Sequence, residues 1–257
     1  MSGTGETIDT YARRVLAPNP GHMTLDGTNT WVLRAPGAAR AVVVDPGPLV
    51  EEHLGAVGQA AGDVAVVLLT HGHLDHCEGA ATFAEQAGCG VRSVDRRWLV
   101  DGVPLRDGET IQVDGLELRV VSTPGHTADS VCFVLPDVGA LLTGDTVLGR
   151  GTSVVAHPDG SLGPYLTSLQ LLKELCAAEQ ITRLLPGHGP VLADPVAVLT
   201  GYQAHRDQRL GQVRAALDAG AGDARAVVRT VYADVDPVLW PAAELSVRAQ
   251  LEYLRTR

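Results

Sequence analysis

Over its first two-thirds the chain alternates short apolar runs with turns rich in Gly and Pro. Runs at 30–33, 41–45 and 64–69 are dominated by Val and Leu and bounded by turn residues, which reads as buried strands. Segment 79–88 reads as a helix that stops on Gly88. Turn signals at 105–108 and 114–115 bracket strands near 110–113 and 116–122, and two more strands are expected at 130–135 and 140–143. Tyr165, Leu169, Leu172 and Cys176 then recur at helical spacing, and a last apolar run, 183–185, ends in a Pro-Gly turn.

Beyond Asp194 the pattern changes to helix alone. Asp194 is a good cap and Pro195 suits a first helical position. Helices are expected near 195–219, 223–232 and 241–256, with no strand between them. The chain therefore divides into a domain of residues 1–194 and a helical appendage of residues 195–257. Strands separated by helices in the first domain favour two sheets flanked by helices, an αββα layering of the α+β class.

Composition narrows the classes. With 257 residues, 45% hydrophobic and 19% charged, the chain can bury a sizeable core and lies outside the disordered class. Its 30 acidic and 20 basic residues give a net charge of −10, against a general binder of nucleic acid or anionic membrane. The deficit is uneven: residues 1–194 carry 23 acids and 12 bases, residues 195–257 carry 7 acids and 8 bases. Lys173 is the sole lysine, so little is available for Schiff-base chemistry. Cys77, Cys89, Cys132 and Cys176 form no CxxC pair, which argues against a disulfide framework or a thiolate zinc site. No apolar stretch reaches membrane-spanning length, and the first fifteen residues lack the apolar core of a signal peptide, so a cytoplasmic location with no membrane association is expected.

The chemistry concentrates in Thr70-His71-Gly72-His73-Leu74-Asp75-His76, directly after the apolar run 64–69. In an extended loop, residues two apart face one side about 6.6 Å from each other, so His71 and His73 can grip one metal. Asp75 and His76 must then point elsewhere and can serve a second. The missing donors should come from the same edge. His126, Asp145 and His188 each follow a glycine at the end of an apolar run, and glycine lets the backbone turn sharply against a ligand cluster. The count closes as His71, His73 and His126 on one metal, Asp75, His76 and His188 on the other, and Asp145 bridging. Imidazole and carboxylate donors suit Zn²⁺, with Mn or Fe able to occupy the same set.

This pattern resembles the five-motif signature of the metallo-β-lactamase-fold hydrolases, over about residues 20–190. The resemblance implies a four-layer αββα sandwich with a dinuclear site at one edge. Asn19-Pro20-Gly21, the run from Gly27 to Thr30, the segment from Gly144 to Thr152, and Tyr202-x-x-His205-Arg206-x-x-Arg209 look like the β-lactamase-like protein 2 branch. Members of that branch end in a small winged-helix-like domain. Residues 195–257 fit its helices, without room for a full β-wing before Arg257.

The expected reaction is hydrolysis by a hydroxide bridging two Zn²⁺, oriented by Asp75, with no covalent intermediate. A small ester, thioester or lactone is the favoured substrate. The alternative is an endoribonuclease acting on single-stranded RNA, for which Arg206, Arg209, Arg248 and Arg255 would track phosphates. RNA as a partner is disfavoured by the charge. A zinc-binding interaction module is a third class, which the complete ligand set opposes. Asp45 is either a residue that orients a ligand histidine or an ordinary turn carboxylate. Arg150 and His157 either face substrate or serve their loop. Cys77 reads as a packed bystander.

Overall fold

The computed structural model describes residues 5–256; residues 1–4 and 257, at the ends of the two expected segments, lie outside it. The first sheet contains β1 (Glu6–Thr7), β2 (Ala12–Leu16), β3 (Asn29–Leu33), β4 (Ala41–Val44), β5 (Val64–Leu68) and β6 (Gly90–Arg92), hydrogen-bonded in that order. Its β1–β4 part is antiparallel and its β4–β6 part parallel. Helix α1 (Glu51–Ala61) crosses from β4 to β5, and α2 (Leu74–Cys77) with α3 (Ala80–Ala87) from β5 to β6.

The second sheet has β7 (Thr110–Val113), β8 (Leu116–Ser122), β9 (Val131–Leu135), β10 (Ala140–Gly144), β11 (Arg183–Pro186) and β12 (Leu192–Ala193), again in order of neighbours. Only its β10–β11 pair is parallel, joined through α4 (Leu162–Ala178). Three helices close the chain: α5 (Pro195–Asp218), α6 (Ala224–Val231) and α7 (Trp240–Arg255). Among the described residues from 195 onward there is no strand.

The strands are apolar on both faces because each sheet is covered on both sides. Residues of β3, β4, β9 and β10 are all buried. Trp31, Leu33, Val44 and Leu68 of the first sheet meet Leu118, Phe133 and Leu142 of the second in the central layer. Leu54, Val57 and Phe83 cover the first sheet's outer face, and Tyr165, Leu169 and Leu172 cover the second's. Each such side chain contributes roughly 1.5–3 kcal/mol on burial, so the four layers hold without disulfides; all four cysteines are free.

The expected strands and helices recur, and four short strands are added. The β2 strand carries Arg13 and Arg14 half-buried, and β1, β6 and β12 are two or three residues long, too brief for an alternation signal. One local expectation changes: the segment after β5 is not extended throughout. Leu74–Cys77 turns into a single helical turn, and that turn re-aims Asp75 and His76. Asp194 and Asp223 cap α5 and α6 by accepting from Ala197 N (3.2 Å) and Ala226 N (2.7 Å).

The helical segment shares packing with the sandwich. Leu199, Tyr202 and Leu210 of α5 bury against the α4 layer, whereas Val213, Val227, Val228 and Val247 form a separate small core among α5, α6 and α7. No helix among the described residues is long and apolar enough to cross a membrane.

Candidate metal centre

Strand ends at one edge of the sandwich bring the seven expected donors together. His71 and His73 follow β5, His126 lies in the β8–β9 turn, Asp145 follows β10 and His188 follows β11. His71 Nε2 and His73 Nδ1 are 3.0 Å apart, and His126 Nε2 is 3.1 Å from the same His73 nitrogen. In the second cluster His76 Nε2 and His188 Nε2 are 3.2 Å apart. Asp75 Oδ2 lies 3.1 Å from His188 Nε2 and 3.5 Å from His76 Nε2. Asp145 stands between: its Oδ2 is 3.4 Å from His188 Nε2 and 3.7 Å from His126 Nε2.

The backbone makes this convergence possible at two glycines. A Cβ on Gly187 would come within 2.6 Å of Asp145 Oδ1 and 2.7 Å of His76 Cε1. Gly144 has φ +47°, and a Cβ there would meet Thr70 at 2.7 Å.

Each buried imidazole is held by the ring nitrogen that faces away from the cluster, which fixes the tautomer. His76 Nδ1 donates to Asp45 Oδ2 (2.9 Å) and His188 Nδ1 to the Gly27 carbonyl (3.1 Å). His126 Nδ1 donates to the Val154 carbonyl (2.8 Å), with Ser153 Oγ 3.1 Å away. Thr70 Oγ1 donates to Asp45 Oδ2 (2.6 Å), which leaves it to accept from His71 Nδ1 (3.0 Å). Asp45 Oδ1 also accepts from Thr70 N (2.8 Å), so Asp45 is buried and occupied by Thr70 and His76. It therefore orients a donor histidine, although with His71 and His76 it also forms a three-residue group compact enough to hold an ion.

The donor set fits a divalent cation. Nitrogen pairs 3.0–3.2 Å apart are close to the edge of about 3.3 Å expected of a tetrahedral ion with metal–nitrogen bonds of about 2.0–2.1 Å. Asp145 Oδ1 is buried and accepts no hydrogen bond, an orphaned anionic acceptor aimed at the cluster.

The two clusters differ in charge. Burial, reinforced by the His76 and His126 rings, drives His71 far below the usual histidine range, and burial takes His126 down to about 4. Burial also opposes charge on His76, but Asp145 and Asp45 outweigh it and hold the ring well above the usual range. His188 is likewise opposed by burial and held up at about 9 by Asp145 and Asp75. Asp145, though buried, is kept well below the carboxylate range by His76 and His188; Asp75 is lowered against its own burial by the His188 hydrogen bond.

A cavity of about 330 Å³ opens beside His126 and Asp145. Leu25 and Leu148 line it from the sandwich, and Val235, Leu239 and Ala243 from the helical segment. Arg150 is on its wall, where it donates to Asp26 Oδ1 (2.8 Å). His157 is not among the lining residues: it sits 3.6 Å from Glu252 Oε2, over a different hollow between α6 and α7. Cys77 is packed in the core under α1 and α3, and burial pushes its thiol up to about 12.

Sequence reasoning passed over Thr70, Ser153 and the carbonyls of Gly27 and Val154. Thr70 was visible beside His71; the others are brought in by tertiary packing and carry no local signal. The helical segment's share of the cavity wall was likewise not readable from its helical periodicity.

The four-layer sandwich with this edge-on His/Asp cluster defines a metallo-β-lactamase-fold metal centre. Comparison with known proteins agrees: residues 23–188 match the Metallo-beta-lactamase superfamily, and the chain belongs to it. Residues 224–257 match the Beta-lactamase associated winged helix domain. The chain is 33% identical over 263 residues to a Beta-lactamase-like protein 2 homolog from Drosophila melanogaster, covering 94% of this chain and 86% of that one. It is 32% identical to the atrochrysone carboxyl ACP thioesterase dmxR1 of a Cryptosporiopsis species, covering 86% and 67% respectively. A metallo-beta-lactamase family protein from Thermus thermophilus superposes with a TM-score of 0.78 at 26% identity, covering 96% of this chain and 93% of that one. Divalent-metal binding and a hydrolase follow from the family together with the donor clusters.

Proposed function

We propose that the protein is a dinuclear zinc hydrolase acting on a small ester- or thioester-type substrate, with Mn or Fe as the other ions its donors accept. The observation that carries this reading is the pair of three-donor clusters with Asp145 between them, beside a cavity with apolar walls. A purely structural zinc site would be closed and usually rich in cysteine.

When bound, the metal pair would supply a water acidified toward neutrality and a Lewis acid for the scissile carbonyl. The chain's own residues do the rest. Asp75 is ionised and partly exposed, with Oδ2 turned to His188 and His76; Oδ1 is the atom that orients water and receives its proton. Leu25, Leu148, Val235 and Leu239 seat the apolar part of the substrate and exclude bulk water. No side-chain nucleophile is needed, and Cys77 is too buried and too weakly acidic to be one.

The thioester preference draws support from two relatives named as atrochrysone carboxyl ACP thioesterases. RNA is the weaker substrate. Arg206 is buried, Arg209 donates to the Val231 carbonyl and stacks on Tyr232, and Arg248 pairs with Glu244, so these arginines line up no phosphate track. The same reading keeps residues 1–194 as the catalytic domain and gives residues 195–257 the role of walling the pocket.

The test is a panel of thioesters, lactones, phosphodiesters and single-stranded RNA, assayed with metal-stripped protein before and after defined zinc. Thioester or lactone turnover that returns only with metal is expected. Turnover by stripped protein, or salt-sensitive RNA cleavage without thioester turnover, would overturn the reading.

A further inference from the structure

The motif Tyr202-x-x-His205-Arg206-x-x-Arg209 includes a side chain that the chemistry above does not use. Arg206 is 6% exposed and has no carboxylate partner among the described residues, although burying an unpaired guanidinium is costly. Its surroundings show what it does. Arg206 Nη2 donates to the Ser153 carbonyl, and its guanidinium carbon lies 4.9 Å from the centre of the Tyr165 ring.

Both contacts lead to donor residues. Ser153 and Val154 are the pair that holds His126 Nδ1, through Ser153 Oγ and the Val154 carbonyl. Tyr165 donates through its hydroxyl to the Thr146 carbonyl (2.7 Å), next to Asp145. The Tyr165 backbone also packs against Gly125, so closely that a Cβ on Gly125 would approach Tyr165 Cα at 2.3 Å; Gly125 immediately precedes His126.

We propose that Arg206, on α5, is a positioning residue that braces the His126 and Asp145 loops and so sets the metal affinity of the three-histidine cluster from outside the sandwich. This rests on the proposed dinuclear site, and only on its donors. Arg206 reaches His126 through the Ser153–Val154 loop, whereas its route toward the Asp75, His76 and His188 cluster runs through Tyr165, Thr146 and Asp145. Its loss therefore acts unequally on the two clusters. A lysine can still donate to the Ser153 carbonyl but cannot stack on Tyr165 as a planar guanidinium does.

The experiment titrates metal-stripped full-length protein with Zn²⁺, and with Co²⁺ to read the d–d spectrum, in wild type, Arg206→Gln, Arg206→Lys and Leu210→Ala. Leu210 lies one turn further along the same helix, is buried in the same apolar layer and has no polar group to offer the Ser153 carbonyl, so Leu210→Ala controls for general loosening of α5. Arg206→Gln is expected to weaken one metal equivalent by about 10–100-fold, the range seen when a supporting residue of a ligand histidine is lost. The other equivalent should shift far less, Arg206→Lys should recover part of the loss, and Leu210→Ala should bind both equivalents as wild type does. Wild-type stoichiometry tests the dinuclear reading separately, since the ratio of variant to wild type is informative at either stoichiometry. The brace is overturned if Arg206→Gln binds metal as wild type does, or if it and Leu210→Ala weaken binding to the same extent.

Discussion

The two halves of the metal centre, three histidines on one side and Asp75 with two histidines on the other, differ in protonation. His71 and His126 are pushed down by burial and stand neutral, with lone pairs ready. His76 and His188 are held up by Asp145, Asp45 and Asp75, so without metal this cluster is the one that holds protons against its carboxylates. Neutral rings such as His71 and His126 accept a cation without exchange. A cluster of ion pairs must expel protons first. The difference comes from where the carboxylates sit: Asp75 and Asp45 both lie on the His76 side, and Asp145 lies closer to His188 than to His126.

The largest test removes Asp145, which stands between the halves. Asp145→Ala should abolish the contrast by weakening metal at both clusters, with kcat/KM falling on the order of a thousandfold or more. Metal analysis alongside thioester turnover checks this, and retention of two tightly held metals would contradict the bridging position.

The next test counts protons. Reloading stripped protein at pH 7.5 should release protons from the His76–His188 pair. Calorimetry in buffers of different ionisation enthalpy measures the number. The sign follows from the raised values. As pH falls, the second cluster's rings hold their protons more firmly and its affinity drops, while the first cluster weakens less until the medium approaches the low value of His126. His188→Ala should lower the count and His71→Ala leave it unchanged; equal release from both variants would break the comparison.

A smaller effect is expected from Asp45→Asn. It keeps an acceptor for one partner but removes the charge facing His76, so the second cluster should lose roughly tenfold in metal affinity and its proton release should shift toward lower pH. Smallest is Thr70→Val, which deletes the hydroxyl joining Asp45 to His71. It should cost about 1 kcal/mol in stability and only a few-fold in affinity at the three-histidine cluster, read by denaturant melts and the same titration.

Much of this was legible in residue order. His71, His73, His126, Asp145 and His188 announced themselves because each sits just past a strand end, where a side chain is free to face a ligand, and Asp75 and His76 because they follow at once in the same motif. Apolar runs gave the long strands because both sheet faces are covered. What stayed hidden depends on three dimensions. The turn at Leu74–Cys77 is too short for periodicity, yet it separates Asp75 and His76 from His71 and His73. His157 lies close in sequence to Ser153 and Val154 but faces Glu252, because the loop between them turns toward the helical segment. Arg206 enters the sequence reading only as a phosphate contact of the alternative RNA substrate, since charge alone does not reveal that its guanidinium is buried against an aromatic ring and a carbonyl.

Helix α5 begins just after its cap Asp194, where composition and charge change, yet Leu199, Tyr202 and Leu210 along it lie in the apolar layer over α4. The compositional seam therefore falls short of the line where packing parts, since Leu199 and Tyr202 are buried beyond it. Heating should then melt sandwich and helices as one cooperative unit. A protease cut or truncation at residue 194 would leave a sticky, uncovered α4 face rather than a free-standing enzyme.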